Sequence, residues 1–558
     1  MWFDMVMTMR SAARMSASAL SLMIATVSSA RAESLSDAIA AAYANSPILQ
    51  GQRAAQQAMD ENYVQARSAY GLQVQASVGE TNEKVHGHYY RAQSPTGSLS
   101  DSADNESLSI SQSLYSGGRN LAAVNEAEAN ILAQRETLRQ AETQVLQQVV
   151  AAYVGVRRDM ASLQVYRDTV LALNRQLKQT EAEFAVRQVT QTDVDESRGR
   201  VALAETNAAN AQAQLEVSRS QYLQLVGENP ANLDPEPALE VFPDLDAAFD
   251  AAEANNPGLS NARYQEQAAR VRVAKARANY LPSVSAQVQL SRSPIEPYSS
   301  TYGNQTAIVA AVTLNQPLYT SGLYSSQVRQ ALAEENQARA QVEATRRTAI
   351  QSVSQAWSQL VAARLSIVSD EAGVAATEAA FYGVRREQPF DLRTPIDVLN
   401  AEQELNNAQI RLVEDRYNEY VARVNVLAAA GLLDVQALSP HAPRIRPETS
   451  FNKIKGKGLP PWVGPLQALD SIGSMPVPAP RPAVRDSGDR ENVKPLLPPP
   501  PSEAAKARPL KTATSIMEAE AAEGGQRAGD APIVTAGHCF HVEGSKVIPC
   551  APGEAPPK

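Results

Sequence analysis

Apolar residues along this chain keep two different periods, and the change of period marks its parts. From Arg119 to about Val186 there is no proline and no glycine except Gly155, and apolar side chains return every seven residues at Val149, Val156, Leu163, Val170, Leu177 and Phe184. Heptad spacing holds one seam toward a partner helix and supercoils the pair. At about 1.5 Å per residue, roughly 68 residues make a rod on the order of 100 Å long, against an average helix of about 11–12 residues. A second rod runs from Leu323 to about Glu387. Each is followed by an Ala-rich return helix; the first carries a seam through Ala204, Ala208, Ala211, Leu215, Tyr222 and Leu225 and ends near Gly227, the second near Gly431.

Ahead of each rod the period drops to two. Leu72 to Val78 (LQVQASV) and Val284 to Leu290 (VSAQVQL) alternate apolar residues with Gln and Ser. Leu108 to Leu114 and Ala310 to Leu318 follow the same rule less strictly. These predict strands at about 72–80, 106–116, 282–291 and 306–318, close to the roughly 9–11 residues of a tilted membrane-spanning strand. Alternation also suits a half-buried soluble sheet. The polar face here is all uncharged Gln, Ser, Thr and Asn, as a water-filled lumen allows, which favours the membrane. Four strands cannot close a barrel, and open edges are not tolerated in lipid. The chain must therefore oligomerise: two copies give eight strands and a filled interior, three give twelve and room for a channel. The connections from Glu80 to about Asn105 and from Ser291 to about Asn304 read as surface loops.

The pattern occurs twice. Leu35 to Pro47 recurs as Leu245 to Pro257, Ala66-Arg67 and Tyr70 as Ala276-Arg277 and Tyr280, and Gln112-x-Leu114-Tyr115 as Gln316-x-Leu318-Tyr319. Thr190-x-x-Asp193-Val194 recurs as Thr394-x-x-Asp397-Val398, and Gly227 as Gly431. Agreement in this order over about 200 residues predicts an internal duplication. The expected organisation is a signal segment at 1–32, a first repeat at 33–227, a linker at 228–244 and a second repeat at 245–431. A partly ordered segment at 432–469 and a Pro-rich disordered tail at 470–558 complete it.

Composition adds limits. A net charge of −9 in 558 residues gives no basic face for nucleic acid. Arg10 and Arg14, the apolar run from Ala17 to Val27 and Ala30-Arg31-Ala32 have the form of a cleaved secretory signal, so the mature chain would begin near Glu33. No other stretch reaches the roughly 18 apolar residues of a membrane helix. Cys539 and Cys550 are the only cysteines, and in an exported chain they could close a small disulfide loop. Five histidines and no phosphate-binding glycine loop leave no catalytic constellation, no metal site and no cofactor to expect.

Taken together, the two-fold repeat, the Gln-x-Leu-Tyr-x-x-Gly before each rod, the Thr-x-x-Asp-Val after it, Asp397-Val-Leu-Asn-Ala401 and the Asn255 to Pro257 turn resemble the TolC family of trimeric outer-membrane efflux and type I secretion channels. The resemblance spans about Glu33 to Gly431 and implies a mainly α fold with transmembrane β: long antiparallel coiled-coil helices forming a periplasmic α-barrel, continuous with a twelve-stranded β-barrel built by a homotrimer in outer-membrane lipid. It also implies a periplasmic adaptor and an inner-membrane ABC or proton-driven transporter as partners. The adaptor would meet the tips at Val186, Arg187, Gln188, Thr190, Phe390, Asp391, Leu392 and Thr394. Arg187 and Asp391 stand where the family has glycine, which puts the family's turn geometry in question.

Two readings attach to the aspartates. Thr190-x-x-Asp193 and Thr394-x-x-Asp397 have the form of helix starts, with Pro395 at a position where proline is welcome. The resemblance also places Asp397 at the family's periplasmic constriction, where three copies would make an acidic ring. Asn400 falls where a second acid often stands, and Arg393 matches an arginine that holds the closed tunnel. Gln388 and Asp193 complete the expected gate. The reading is a passive exit duct in the outer membrane with a large periplasmic part, not an enzyme; the alternative is a periplasmic coiled-coil adaptor or scaffold.

Overall fold

The computed structural model describes residues 33–86, 98–230, 232–294, 304–390, 392–440, 442, 445–457, 460–477, 540–543 and 546–549. The signal segment, Asp391, Cys539, Cys550 and most of the tail lie outside the described residues.

In the first half α1 (Leu35–Asn45) and α2 (Pro47–Ser68) lead to β1 (Gln73–His86) and β2 (Ser98–Tyr115), then to α3 (Arg119–Ala185) and α4 (Gln191–Val226). The second half has the same order: α5 (Leu245–Asn255), α6 (Pro257–Ala278), β3 (Ser283–Pro294), β4 (Asn304–Asn315), α7 (Leu323–Glu387) and α8 (Pro395–Ala429). Ser46 and Asn256 cap α2 and α6, each with proline at the first helical position, so one turn chemistry starts both.

The four strands form one antiparallel sheet in the order β1-β2-β3-β4. Its register sorts the side chains by face. Val74, Ile110, Val288 and Ala310 lie in one row and Ala76, Leu108, Leu290 and Ile308 in the next, all on the same face. On the opposite face Gln73, Ser111 and Gln287 align, as do Gln75, Ser109 and Gln289. The first hairpin departs from expectation. β1 and β2 stay paired out to His86↔Ser98, past the limits of 80 and 106, so much of the expected loop is strand. Backbone pairing needs no apolar side chain once the strands leave the apolar band, which ends where Arg292 meets Glu106 at 3.9 Å. β4 stops at Asn315, earlier than expected, because Pro317 cannot donate to a ladder.

Beyond the sheet the helices run side by side, α2 against α3, α3 against α6 and α6 against α7. Farther out α4 returns along α3 and α8 along α7. The heptad seam is buried at Val149, Val156 and Leu163, after which Leu173, Gln176 and Thr180 take over and Phe184 is exposed. The buried stripe rolls because 3.6 residues per turn does not match a seven-residue repeat. No described helix is long and apolar enough to cross a membrane.

Midway along the rods α1 packs on Val145, Leu146, Val149 and Tyr153. Glu33 is tied in there: its N–H donates to Asn232 O at 2.7 Å and its carbonyl accepts from the Tyr153 hydroxyl at 2.9 Å. After α8 come α9 (Val435–Leu438), α10 (Pro447–Ile454) and α11 (Val463–Ser471). Phe451 of α10 meets Tyr63 of α2 edge-on at 5.1 Å. Asp470 of α11 is fully buried beside Tyr70 and Ser116, so ordered packing extends past the expected limit of 469.

The chain divides into residues 1–495 and 496–558. The second unit holds an antiparallel pair, β5 (Phe540–Glu543) and β6 (Lys546–Pro549), so the expected disorder of the tail does not extend to these residues.

Candidate functional site

The two ends farthest from the sheet, where α3 turns into α4 and α7 into α8, carry most of the expected site residues. At the first tip the Arg187 N–H donates to Phe184 O and the Gln188 N–H to Glu183 O, both at 2.9 Å. This is a Schellman closure, which requires a left-handed residue at Arg187. Arg187 adopts φ 64°, so the arginine takes the glycine geometry rather than changing it. That answers the question raised by its side chain: the hydrogen bonds of the turn offset the strain of a left-handed L-residue.

The return helices start as the Thr-x-x-Asp spacing predicts. Thr190 donates to Asp193 Oδ2 from its N–H (2.8 Å) and hydroxyl (2.7 Å). Thr394 does the same to Asp397, at 2.9 and 2.8 Å, with Pro395 at the first helical position. These bonds from Thr394, backbone first, hold the Asp397 carboxyl below its ordinary range.

The second tip differs from the first. A short 3₁₀ turn, Gln388–Phe390, extends α7, and Gln388 is buried within it. Arg393 pairs with Glu387 at 2.9 Å across the same turn, so within one chain its guanidinium braces its own loop. Val186, Phe390 and Leu392 are 65 %, 75 % and 71 % exposed, a small apolar surface at the outermost point of each hairpin.

Just inside the tips the two hairpins touch. Arg200 of α4 donates to Asn400 Oδ1 of α8 at 3.1 Å, the one bond that an expected gate residue makes to the other hairpin among the described residues. Leu399 packs into Leu173, Val201 and Ala204. Glu402, one turn on, is 8 % exposed in the groove lined by Tyr166, Leu173, Arg200 and Leu203, whose free space is about 10 Å³. A space that small holds a single water at most. Burial pushes the Glu402 carboxyl up to about 7, with distant Arg385 pulling the other way. Asn406 below it leaves Oδ1 without a partner. Arg200 and Glu402 were not among the expected residues. The available signal was the 3-4 spacing Leu399, Glu402, Asn406, a packing stripe whose second and third members are polar.

Among the described residues no group of three or more His, Cys, Asp or Glu side chains is placed to hold a metal ion.

Comparison with known proteins places this geometry. Residues 38–228 and 248–432 match the outer membrane efflux protein family. The chain is 32 % identical over 451 residues to outer membrane efflux protein BepC of Brucella suis, covering 80 % of this chain and 94 % of that one. Outer membrane protein TolC of Escherichia coli is 26 % identical over 61 % of this chain and 72 % of its own. The crystal structure of VceC from Vibrio cholerae shares the fold, with TM-score 0.59, 22 % identity and coverage of 71 % of this chain and 96 % of that one. The family match takes in both halves of the chain, each with its strands and its long hairpin, and the chain belongs to the outer membrane efflux protein family.

Proposed function

We propose that this outer-membrane protein is a passive exit duct, energised by an ABC or proton-driven transporter of the inner membrane through a periplasmic adaptor. The observation that carries the reading is the sheet: one face of aligned Val, Leu, Ile and Ala, the other of aligned Gln and Ser on β1 to β3 with Val309 and Ala311 on β4, continuing through Ser116, Gly117 and Gly118 into a 67-residue helix. β1 and β4 each have one unpaired edge, which hydrocarbon does not tolerate. Three copies pairing β4 to β1 give a twelve-stranded barrel wide enough for a channel. A periplasmic scaffold would have no use for the apolar face.

In this reading the adaptor contacts Val186, Arg187, Gln188, Thr190, Phe390, Asp391, Leu392 and Thr394. Arg393, Asp397, Asn400, Gln388 and Asp193 ring the periplasmic constriction, and three Asp397 carboxylates favour cations there. Drugs, or polypeptides in type I secretion, are the cargo classes. Planar-bilayer recording of the detergent-extracted protein tests the reading. A trimer with small, steady conductance is expected, rising severalfold in Arg393→Ser as the brace to Glu387 is lost. A protein that forms neither trimers nor pores removes it.

A further inference from the structure

Glu33 is held from three sides by groups far apart in the chain. Its N–H donates to Asn232 O at 2.7 Å, and its carbonyl accepts the Asp234 N–H at 3.1 Å and the Tyr153 hydroxyl at 2.9 Å. Its carboxylate accepts the Tyr222 hydroxyl. The backbone bonds make a one-residue parallel bridge between Glu33 and Leu233 of the linker. Tyr153 of α3 and Tyr222 of α4 are both fully buried, and the Tyr153 hydroxyl also reaches Asp234 O at 2.8 Å. Ser34, the next residue, caps α1, so Glu33 is fixed on that side too.

The hydrogen bonds of this cluster are complete, but its charges do not balance. Burial, followed by the bond to Glu33, drives the Tyr222 hydroxyl well above its ordinary range, and burial pushes that of Tyr153 up to about 12. Both tyrosines are therefore neutral donors and bring no positive charge. Glu228 acts on Tyr222 and Asp234 on Tyr153, in each case with the same sign as Glu33. Arg157, whose charge reaches Tyr153, is paired with Glu236. Among the described residues Glu33 has no cation of its own, and the N–H of a continuing peptide supplies none.

We propose that the α-ammonium released by cleavage before Glu33 is the missing cation: it takes the place of the Glu33 N–H against Asn232 O and latches the start of the mature chain to the linker, α3 and α4. Water is the co-reactant. Its hydroxyl adds to the carbonyl carbon of the preceding residue, the C–N bond to Glu33 breaks, and the Glu33 nitrogen takes up the protons. An α-amine titrates near 7.7–8.0, so at neutral pH the freed group is mostly the ammonium. It keeps the bond to Asn232 O, makes it charge-assisted and gains two further donors beside three acids. The contact reads the cleavage position. A chain starting earlier keeps a neutral amide at Asn232 and carries its charge about 3.8 Å farther off for each added residue. A chain starting later lacks the Glu33 carbonyl and carboxylate that Tyr153 and Tyr222 hold. The latch lies within one chain and is independent of assembly and of conduction.

The test uses the full-length protein extracted from the outer membrane. N-terminal sequencing is expected to begin at Glu33, and any other start overturns the latch. On the same protein, acylation of the α-amine at pH 7, where lysines are protonated, is expected to run at least tenfold slower in the folded chain than in urea. Equal rates would show an amine free in solvent and would also overturn it. A variant with Gly-Ser-Gly inserted between Ala32 and Glu33 leaves the cleavage residues and the Glu33 amide in place but moves the charge away. Hydrogen exchange of the Asp234 N–H, which bonds to Glu33 O, should then speed up at least fivefold while amides of α7 keep their wild-type rates. Wild-type exchange at Asp234 in the inserted chain would mean that the charge holds nothing.

Discussion

Asp470 holds Ser116 at the entrance to the first long helix from the far end of the chain. Its Oδ1 accepts the N–H of Ser116 at 2.6 Å and that of Gly118 at 3.1 Å, while the Ser116 hydroxyl at 2.9 Å and the Tyr70 hydroxyl at 2.8 Å complete the set. Gly118 has no side chain to cap α3; the Ser116 hydroxyl accepts the Asn120 N–H at 2.9 Å instead, and Asp470, more than 350 residues away, holds that hydroxyl and the turn before the helix. Burial, followed by the bond to Asp470, drives the Tyr70 hydroxyl well above its ordinary range. Asp470→Asn keeps the shape but loses one acceptor oxygen. Bonds to a buried charge contribute about 1.5–3 kcal/mol each, so amide exchange at residues 116–122 should speed up at least tenfold. Unchanged exchange would mean that α11 contributes packing alone.

At the first tip, Arg187 holds a left-handed conformation that glycine would adopt with less strain. Arg187→Gly should stabilise the turn by about 1 kcal/mol. Slower exchange of the Gln188 N–H, by about fivefold, is the readout; faster exchange would show that the guanidinium itself braces the tip.

Glu402 gives the contact between hairpins a pH dependence. Its carboxyl is raised by burial from an ordinary 4.5 to about 7. A raised carboxyl favours the packed state when protonated, so the contribution is complete below about pH 4.5 and is lost as pH rises through about 7. Facing it are Arg200, engaged with Asn400, and more remotely Arg385. A spin label on exposed Glu404 should gain mobility from pH 5 to pH 8 in wild type and stay flat in Glu402→Gln. A wild-type label insensitive to pH would refute the coupling.

Gly227 and Gly431 end the two return helices with φ 93° and 75°, but only one is crowded. A Cβ on Gly431 would lie 2.4 Å from Asn255 O, whereas one on Gly227 meets nothing within 4 Å. Gly227→Ala should therefore cost about 1 kcal/mol for the backbone alone. Gly431→Ala must also displace the start of α6, and should cut the yield of folded protein far more. Equal yields would show that the α5–α6 turn yields easily.

Much of this fold was legible in the sequence because its determinants are local and periodic. Seven-residue spacing without proline predicts a helix from Arg119 to about Val186, and the helix ends at Ala185. Thr-x-x-Asp predicts both capping boxes, and alternation predicts four strands and their apolar face. Strand limits were less legible, because the β1–β2 ladder continues on backbone hydrogen bonds after alternation has ceased.

Tertiary structure decided what depends on residues far apart in the chain. It makes Glu402 a buried acid, because a residue with a polar signature falls into a groove supplied by α3 and α4. It assigns Asp470, in a segment whose composition suggested little order, to the start of α3. Periodicity reports which face of an element is apolar; only the packed chain decides what lies against that face.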